Sequence, residues 1–411
     1  MDRLVVVGAS LAGLRAAEAA RAAGFEGEVV LVGDEPHRPY NRPPLSKELL
    51  AGEHAPDQCA FPSADALDAD WRLGVPAAGL DRARRAVLLA DGEEIAYDRL
   101  IVATGCRARA WPGAGADLPG VFTLRGLDDA IALRAALEQR PRLAIVGAGF
   151  VGCEVASTAR KHGLDVTLVD VAPQPMLPLG PELGARCADL HRAHGVDLRL
   201  GAGVAGLRGG ARVEAVELAD GTAISADVVV IALGAQPNTE WLADSGLRLD
   251  PGVVCDATLT AAGDPDVLAA GDLASWPHPL AGGDRVRVEH WTVAGEHGRL
   301  AGRNAVAAPG ERAAHESPPY FWSDQHGVKI QAAGFPARAD RLEILEASDD
   351  GARLVAAGAR DGRLVGIVAF SAAKRLAWYR RQLAAGAGID DVRAAVAADG
   401  AALGAPVGAA R

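Results

Sequence analysis

The sequence predicts an α/β fold made of two nucleotide-binding units and a third, mixed α and β part. Three observations predict it. Leu4-Val5-Val6-Val7 runs straight into Gly8-Ala9-Ser10-Leu11-Ala12-Gly13, then an Ala-rich helical stretch, the apolar run Val29-Val30-Leu31-Val32 and Gly33-Asp34-Glu35. Strand, glycine turn, helix, strand and acid is the order of a dinucleotide-binding unit. A second copy follows, from Leu143-Ala144-Ile145-Val146 through Gly147-Ala148-Gly149-Phe150-Val151-Gly152 to Val166-Thr167-Leu168-Val169-Asp170. Finally, strand-like runs separated by Asp-Gly turns occupy residues 342–369.

In the first unit, Gly8 makes the tight turn, and the helix that follows points free N–H groups and a positive dipole end at a pyrophosphate. Asp34 lies 21 residues past Gly13, near the spacing of about 20 expected for a ribose-binding carboxylate. Ser10 replaces the second glycine of the fingerprint, and a small serine hinders backbone approach to a phosphate only a little. Next comes Pro36-His37-Arg38-Pro39-Tyr40-Asn41-Arg42-Pro43-Pro44-Leu45-Ser46-Lys47, whose four prolines within nine residues exclude a helix interior or central strand. It reads as a rigid loop turning into a helix at Ser46-Lys47-Glu48. Two readings fit it: a surface connection, or a stiff platform placing Arg42 and Lys47 over something anionic or electron-rich.

Ala90-Asp91-Gly92, Ile95, Asp98, Ala103 and Gly105 recur as Ala219-Asp220-Gly221, Ile224, Asp227, Ala232 and Gly234, every pair offset by 129 residues. Each unit therefore ends in a buried strand that delivers a small-residue turn. Two nucleotide sites in one chain imply two ligands that must meet. The second fingerprint has all three glycines, and Asp170 follows Gly152 by 18 residues. Beyond it, Val267-Leu268-Ala269-Ala270-Gly271-Asp272 is a short buried strand with a Gly-Asp turn, and Val288-Glu289-His290-Trp291 precedes a helix from Thr292 to about Ala307. Tyr320-Phe321-Trp322 gathers three of the chain's 18 aromatics. Strands are expected around Leu342–Leu345, Arg353–Ala357 and Leu364–Ala369, and a helix over Ala372–Ala385. The last dozen residues read as a frayed tail.

Composition narrows the function. A chain of 411 residues, 49% of them hydrophobic, suits two or three domains. A formal net charge of −11 opposes nucleic-acid binding. The N-terminus has no signal-peptide pattern, and no apolar run approaches the roughly 18 residues that span a bilayer. The five cysteines are scattered without a CxxC or other metal-ligand spacing, which fits a reducing cytosol. The expectation is a cytoplasmic protein with no metal site.

The motifs GASLAG, PYNRPPLSK, IVATG, GAGFVGCE, ALGAQPNTE, LAAGDLA, VEHWTVA and PYFWSDQ cover almost the whole chain. With them the chain resembles the NAD(P)H-dependent ferredoxin reductases, FAD flavoproteins of the glutathione-reductase structural class that supply ferredoxins serving cytochrome P450s or ring-hydroxylating dioxygenases. The resemblance implies a discontinuous FAD-binding domain (1–112 and 245–317), an NAD-binding domain (113–244) and a C-terminal α+β interface domain (318–411). It also implies residue roles. Gly8, Ser10, Ala12 and Gly13 would sit at the FAD pyrophosphate, with Asp34 or Glu35 at the adenosine ribose and the Ala77 backbone at the adenine. Arg42 and Lys47 would lie beside the isoalloxazine. Thr104 and Gly105 would flank the pyrophosphate, with Gly234 their counterpart in the repeat, and Arg125 would hydrogen-bond the flavin side. Gly271 and Asp272 would hold the ribityl hydroxyls, while Glu289, His290 and Trp291 would bring the helix dipole onto the flavin N1–C2 edge. Gly147, Gly149, Gly152 and Asp170 would bind NAD, with Glu154 facing the nicotinamide and Trp322 stacked near the flavin–nicotinamide contact. Lys47, Glu154 and Trp322 are the expected catalytic residues. Plainer readings stand beside three of these: Arg125 as a helix-entry charge, Trp322 as core and Glu154 as a solvated helix residue.

Disulfide reductases of this fold carry a cysteine pair in the segment that here reads PYNRPPLSK, which has none. Electrons must then leave the flavin directly, to an iron-sulfur ferredoxin, to dioxygen or to a small quinone. An NADH oxidase or diaphorase, and an apoptosis-inducing-factor-like protein, are the alternatives; the first lacks its usual peroxidatic cysteine, and the acidic charge opposes the second. Asp170 is followed by Val171-Ala172-Pro173 with no cation, so NADH is expected over NADPH. On the Ala372–Ala385 helix, Ala372, Leu376, Tyr379 and Leu383 fall on one face, and Lys374, Trp378 and Arg381 on the other. That outer face is either a ferredoxin-docking patch or a packing surface for Trp378. A monomer or weak dimer is expected.

Overall fold

The computed structural model describes residues 1–399, and the expected frayed tail lies outside them. The chain forms two compact units. The first comprises Met1–Arg42, Pro56–Arg107 and Ala235–Pro319; the second comprises Pro43–Ala55, Ala108–Gly234 and Tyr320 onward.

In the first unit, five parallel strands lie in the order Asp70–Leu73, Glu28–Gly33, Arg3–Val7, Arg99–Val102, Val267–Ala269. Leu4 to Val7 are buried, the unbroken apolar pattern of a parallel strand covered on both faces. The Leu11–Ala22 helix springs from the first strand, and the Trp291–Val306 helix packs on it backbone to backbone. A Cβ on Gly298 would stand 2.3 Å from the Ala12 carbonyl oxygen, and one on Gly302 would stand 2.1 Å from that of Ala16. Only glycine permits so close a crossing.

The second unit repeats the architecture. Its parallel sheet runs Asp197–Leu200, Val166–Asp170, Leu143–Val146, Val228–Ile231, Val121–Thr123. The fingerprint strand is central in both sheets, with the closing strand of the 129-residue repeat beside it. A five-stranded antiparallel sheet follows in the order Tyr320–Gln325, Val328–Gly334, Arg363–Phe370, Leu354–Arg360, Arg341–Ala347. The Ala373–Ala384 helix then buries Leu376, Tyr379 and Leu383, the face expected from their spacing.

Two local expectations change. Ser46-Lys47-Glu48 does not open an α-helix; Pro43–Ser46 is a single 3₁₀ turn. Prolines remove the early N–H groups, and the Ser46 carbonyl is taken by the Thr158 hydroxyl at 2.8 Å rather than by a helical amide. Ile389–Asp399 forms a further helix that the Ala-rich sequence hid. Its start is marked by Asp390 and Asp391 in the first turn, and Ile389 and Val392 are buried.

Candidate functional site: two nucleotide cradles and a buried ion pair

Both fingerprint turns are built by collision. Gly8 and Gly147 have φ of +119° and +111°, and a Cβ on either would meet the carbonyl oxygen of Ala103 or Ala232 at 2.1 and 2.2 Å. Gly13 and Gly152 each approach the first glycine's carbonyl, leaving 1.9 Å for a Cβ. The middle position is different: around Gly149 a Cβ would meet nothing within 4 Å. No protein atom forbids a side chain there, which explains how Ser10 serves in the first copy.

Three helix N-termini are left uncapped. Ser10, Gly149 and His290 make no side-chain cap hydrogen bond, and none of their helices has an acid in its first turn. A helix start without a side-chain cap or an acid, presenting the positive end of its dipole, suits an anion or a developing negative charge. The Leu127–Leu137 helix shows the contrast, because Asp129 accepts the backbone N–H groups of Arg125 and Gly126, each at 2.9 Å.

Around the first cradle, the proline loop folds back onto the glycine turn. Glu35 accepts from the Tyr40 hydroxyl on one oxygen and from the Arg42 guanidinium on the other. Arg42 also donates to Tyr40 Oη at 2.8 Å and reaches Ser10 Oγ at 3.4 Å. Asp34 is exposed beside this clamp. Thr104 and Gly105 are clasped by Asn238, whose side chain donates to the Thr104 carbonyl at 2.9 Å and whose carbonyl accepts the Thr104 hydroxyl at 2.7 Å. Its backbone N–H meets the Gly105 carbonyl at 2.9 Å. Ala77 opens a strand at the side of this unit. Asp272 is buried just after Gly271, and its carbonyl takes the Arg287 guanidinium at 2.9 Å. Arg287 also pairs with Glu289 at 2.7 Å. Burial pushes the His290 imidazole down to about 4, with Asp272 pulling the other way. Trp291 is the first helical residue and is 37% exposed.

In the second unit, Asp170 accepts the Ala148 N–H at 2.6 Å and the Ala172 N–H at 2.8 Å, so its carboxylate is fixed over the glycine turn. Gly234, with φ of +84°, ends the closing-strand repeat. Glu154 is buried rather than solvated. It accepts from Lys47 Nζ at 2.8 Å, Ser46 Oγ at 2.5 Å and Ser323 Oγ at 2.8 Å. Trp322 is half-buried and stacks with Tyr320 at 6.1 Å. Trp378 is half-buried too, edge-on to Tyr379 at 4.9 Å, whereas Lys374 and Arg381 are exposed.

All five cysteines are buried free thiols. Burial raises Cys153 well above its ordinary value and pushes Cys187 and Cys255 up to about 12. Arg287 donates to the Cys106 sulfur at 3.4 Å. Sequence reading missed Asn238, Tyr40, Ser46 and Ser323, although each lies inside a quoted motif; motifs mark residues without saying which pairs meet.

Comparison with known proteins agrees with this architecture. Residues 2–298 match the family described as pyridine nucleotide-disulphide oxidoreductase, and residues 320–402 match the reductase C-terminal domain. The chain is 39% identical to rhodocoxin reductase from Rhodococcus erythropolis, covering 85% of this chain and 82% of that one. It is 37% identical to the ferredoxin reductase component of chlorobenzene dioxygenase from a Cupriavidus species, covering 95% of both. Among solved structures, the covalent putidaredoxin reductase–putidaredoxin complex matches with a TM-score of 0.89 at 31% identity, over 97% of this chain and 98% of that one. The chain belongs to the pyridine nucleotide-disulphide oxidoreductase family, in the branch that carries the reductase C-terminal domain.

Proposed function

We propose that the chain is an NADH-dependent ferredoxin reductase that binds FAD, serving a [2Fe-2S]-type ferredoxin that feeds a P450 or oxygenase. The overall reaction is NADH plus two oxidised ferredoxins giving NAD⁺, two reduced ferredoxins and one proton. The observation that carries the reading is two uncapped dinucleotide cradles in one chain with no cysteine pair to relay electrons. Relatives named as ferredoxin reductase components and as rhodocoxin reductase support the acceptor class.

FAD, when bound, accepts a hydride as an electron pair and releases electrons singly. The first cradle suits it: the Ser10 helix terminus for the pyrophosphate, Asp34 for the ribose, and the Trp291 helix terminus for negative charge on the ring. Asp170 and the Gly149 terminus suit NADH. Lys47 and Glu154 form a buried ion pair, and we assign Lys47 to the flavin N5 edge and Glu154 to its support. Trp322 and Arg125 keep the roles the resemblance gives them. We also propose the three-domain division at 112, 244 and 317, and a cytoplasmic location. No helix among the described residues is long and apolar enough to cross a membrane, and the cysteines are unpaired.

The test is NADH-driven reduction of cytochrome c with and without a [2Fe-2S] ferredoxin. Ferredoxin-dependent electron flow is expected. Equally fast NADH consumption without ferredoxin, with dioxygen or a quinone as acceptor, would overturn the reading.

A further inference from the structure

The Glu154 carboxylate stands at the end of a hydrogen-bonded chain that begins near the surface. Its Oε1 accepts the Ser323 hydroxyl at 2.8 Å. Gln325 Nε2 donates to Ser323 Oγ at 3.0 Å and lies 3.5 Å from the Met176 sulfur. Gln325 Oε1 meets His191 Nε2 at 3.1 Å, and His191 Nδ1 meets His326 Nε2 at 3.0 Å. Ser323, Gln325 and His191 are buried. His326 sits at the tip of the Tyr320–Gly334 hairpin, with its N–H on Ser157 Oγ at 2.7 Å and its ring stacked on exposed His194 at 4.2 Å.

Each protonation state fixes the next. Ser323 has one O–H, and the carboxylate takes it, so Ser323 can only accept from Gln325. The amide must then turn its nitrogen toward Ser323 and its oxygen toward His191. His191 must carry its proton on Nε2, which leaves Nδ1 as a lone pair. His326 must therefore present Nε2–H. His191 must be neutral for this, and burial lowers it to about 4; burial also lowers His326 to about 3, helped by the neighbouring histidines. All four bonds donate in one direction, toward Glu154, and aligned hydrogen bonds polarise one another in a low dielectric.

We propose that Ser323, Gln325, His191 and His326 are positioning residues for the Lys47–Glu154 pair. By fixing and stabilising the Glu154 charge, they hold the Lys47 ammonium in place. This rests on the proposed role of Lys47 only where turnover is concerned.

The test has two arms in the full-length protein. In the first, amine acetylation is followed by mass spectrometry. Lysines occur only at 47, 161, 329 and 374; the other three are exposed and calibrate reagent reactivity, while circular dichroism of each variant reports on general unfolding. Lys47, with its side chain 13% exposed, should be protected in the native protein. It should label about tenfold faster in Gln325→Leu, the scale of leaving a buried hydrogen-bonding group without its partner. Gln325→Glu keeps the shape but cannot donate, so it captures the Ser323 hydroxyl and should expose Lys47 at least as much. His326→Phe removes only the last donor and should have a smaller effect. In the second arm, the rate of flavin reduction at saturating NADH should fall several-fold in Gln325→Leu while KM stays within about twofold. ¹⁵N spectra should show Nε2–H tautomers at His191 and His326. Unchanged Lys47 labelling in both Gln325 variants, or an Nδ1–H tautomer at His191, would overturn the inference. Faster labelling with unchanged flavin reduction would support the relay and overturn the assignment of Lys47 to the flavin.

Discussion

Asp34 and Glu35 are adjacent acids that the sequence leaves equivalent, because spacing counts residues and not lone pairs. The structure separates them: Glu35 is committed to Tyr40 and Arg42, and Asp34 remains exposed. Glu154 shows the same limit. Nothing in GAGFVGCE tells that its carboxylate is met by Lys47, which is 107 residues away. Two predictions belong here. With Asp170 as the proposed ribose ligand, its fixed carboxylate would face a 2′-phosphate that needs a cation, so kcat/KM should favour NADH over NADPH by at least about tenfold, or about 1.4 kcal/mol. Equal values would refute this. Lys47→Ala removes the cation from a buried carboxylate, which costs about 3 kcal/mol in a urea titration. In stopped flow it should also slow flavin reduction while FAD stays bound. An unaltered reductive half-reaction would place Lys47 away from the chemistry.

Elements with strong apolar periodicity were legible to within about two residues, as the Trp291–Val306 and Ala373–Ala384 helices show. The proline loop was legible as rigid but not as a clamp, since its partners Ser10, Glu35 and Thr158 lie outside it. The crossing of the two first-unit helices was not legible either, because glycines in a helix pattern read as weak points rather than contacts. Their role gives a direct prediction: Gly302→Ala forces a methyl against the Ala16 carbonyl and should destabilise by about 1–3 kcal/mol in chemical unfolding. No loss would mean that the helices separate freely. On the Ala373–Ala384 helix, Arg375 is held by Glu346 at 3.0 Å and Arg380 lies over the Tyr320 ring at 4.8 Å. Trp378 leans on Tyr379, which favours its packing role over that of an exposed anchor. Lys374 and Arg381 are the exposed cations left on this face, and we propose that they steer an acidic ferredoxin. Reversing both charges should raise the ferredoxin KM several-fold at low salt and leave NADH–ferricyanide activity unaltered. An unmoved KM puts the docking surface elsewhere.

At the scale of the molecule, burial dominates the histidines. His191, His278, His290, His297 and His326 are all lowered from 6.5, with desolvation the largest cause in each. Above pH 6.5 both folded and unfolded chains leave them neutral. As pH falls below 6.5 the unfolded chain takes up protons that the folded one refuses, so stability declines toward the folded values of about 4 for His191 and about 3 for His326. His191 alone contributes a loss of about 2 kcal/mol by pH 5. The urea midpoint should therefore be lower at pH 5 than at pH 8, and equal midpoints would show that these rings are not held neutral. The duplicated architecture was the most legible feature of the whole, because the glycine fingerprint is written twice and the closing strands repeat at an offset of 129 residues. It also has an experimental meaning, since each copy is a natural variant of the other. Val7 pairs with Val32 as Val146 pairs with Val169, so Gly33 and Asp170 occupy one position, as do Ser10 and Gly149. Where the copies agree, at Gly8 with Gly147 and Gly13 with Gly152, backbone collision dictates the residue. Where they differ, the space around them decides: a Cβ on Gly149 would meet nothing within 4 Å, so the fold leaves that choice to a ligand, whereas a Cβ on Gly33 would stand 2.8 Å from that of Ala9, so packing shares in that one. One molecule thus sorts the demands of its fold from those of its ligands without a second sequence for comparison.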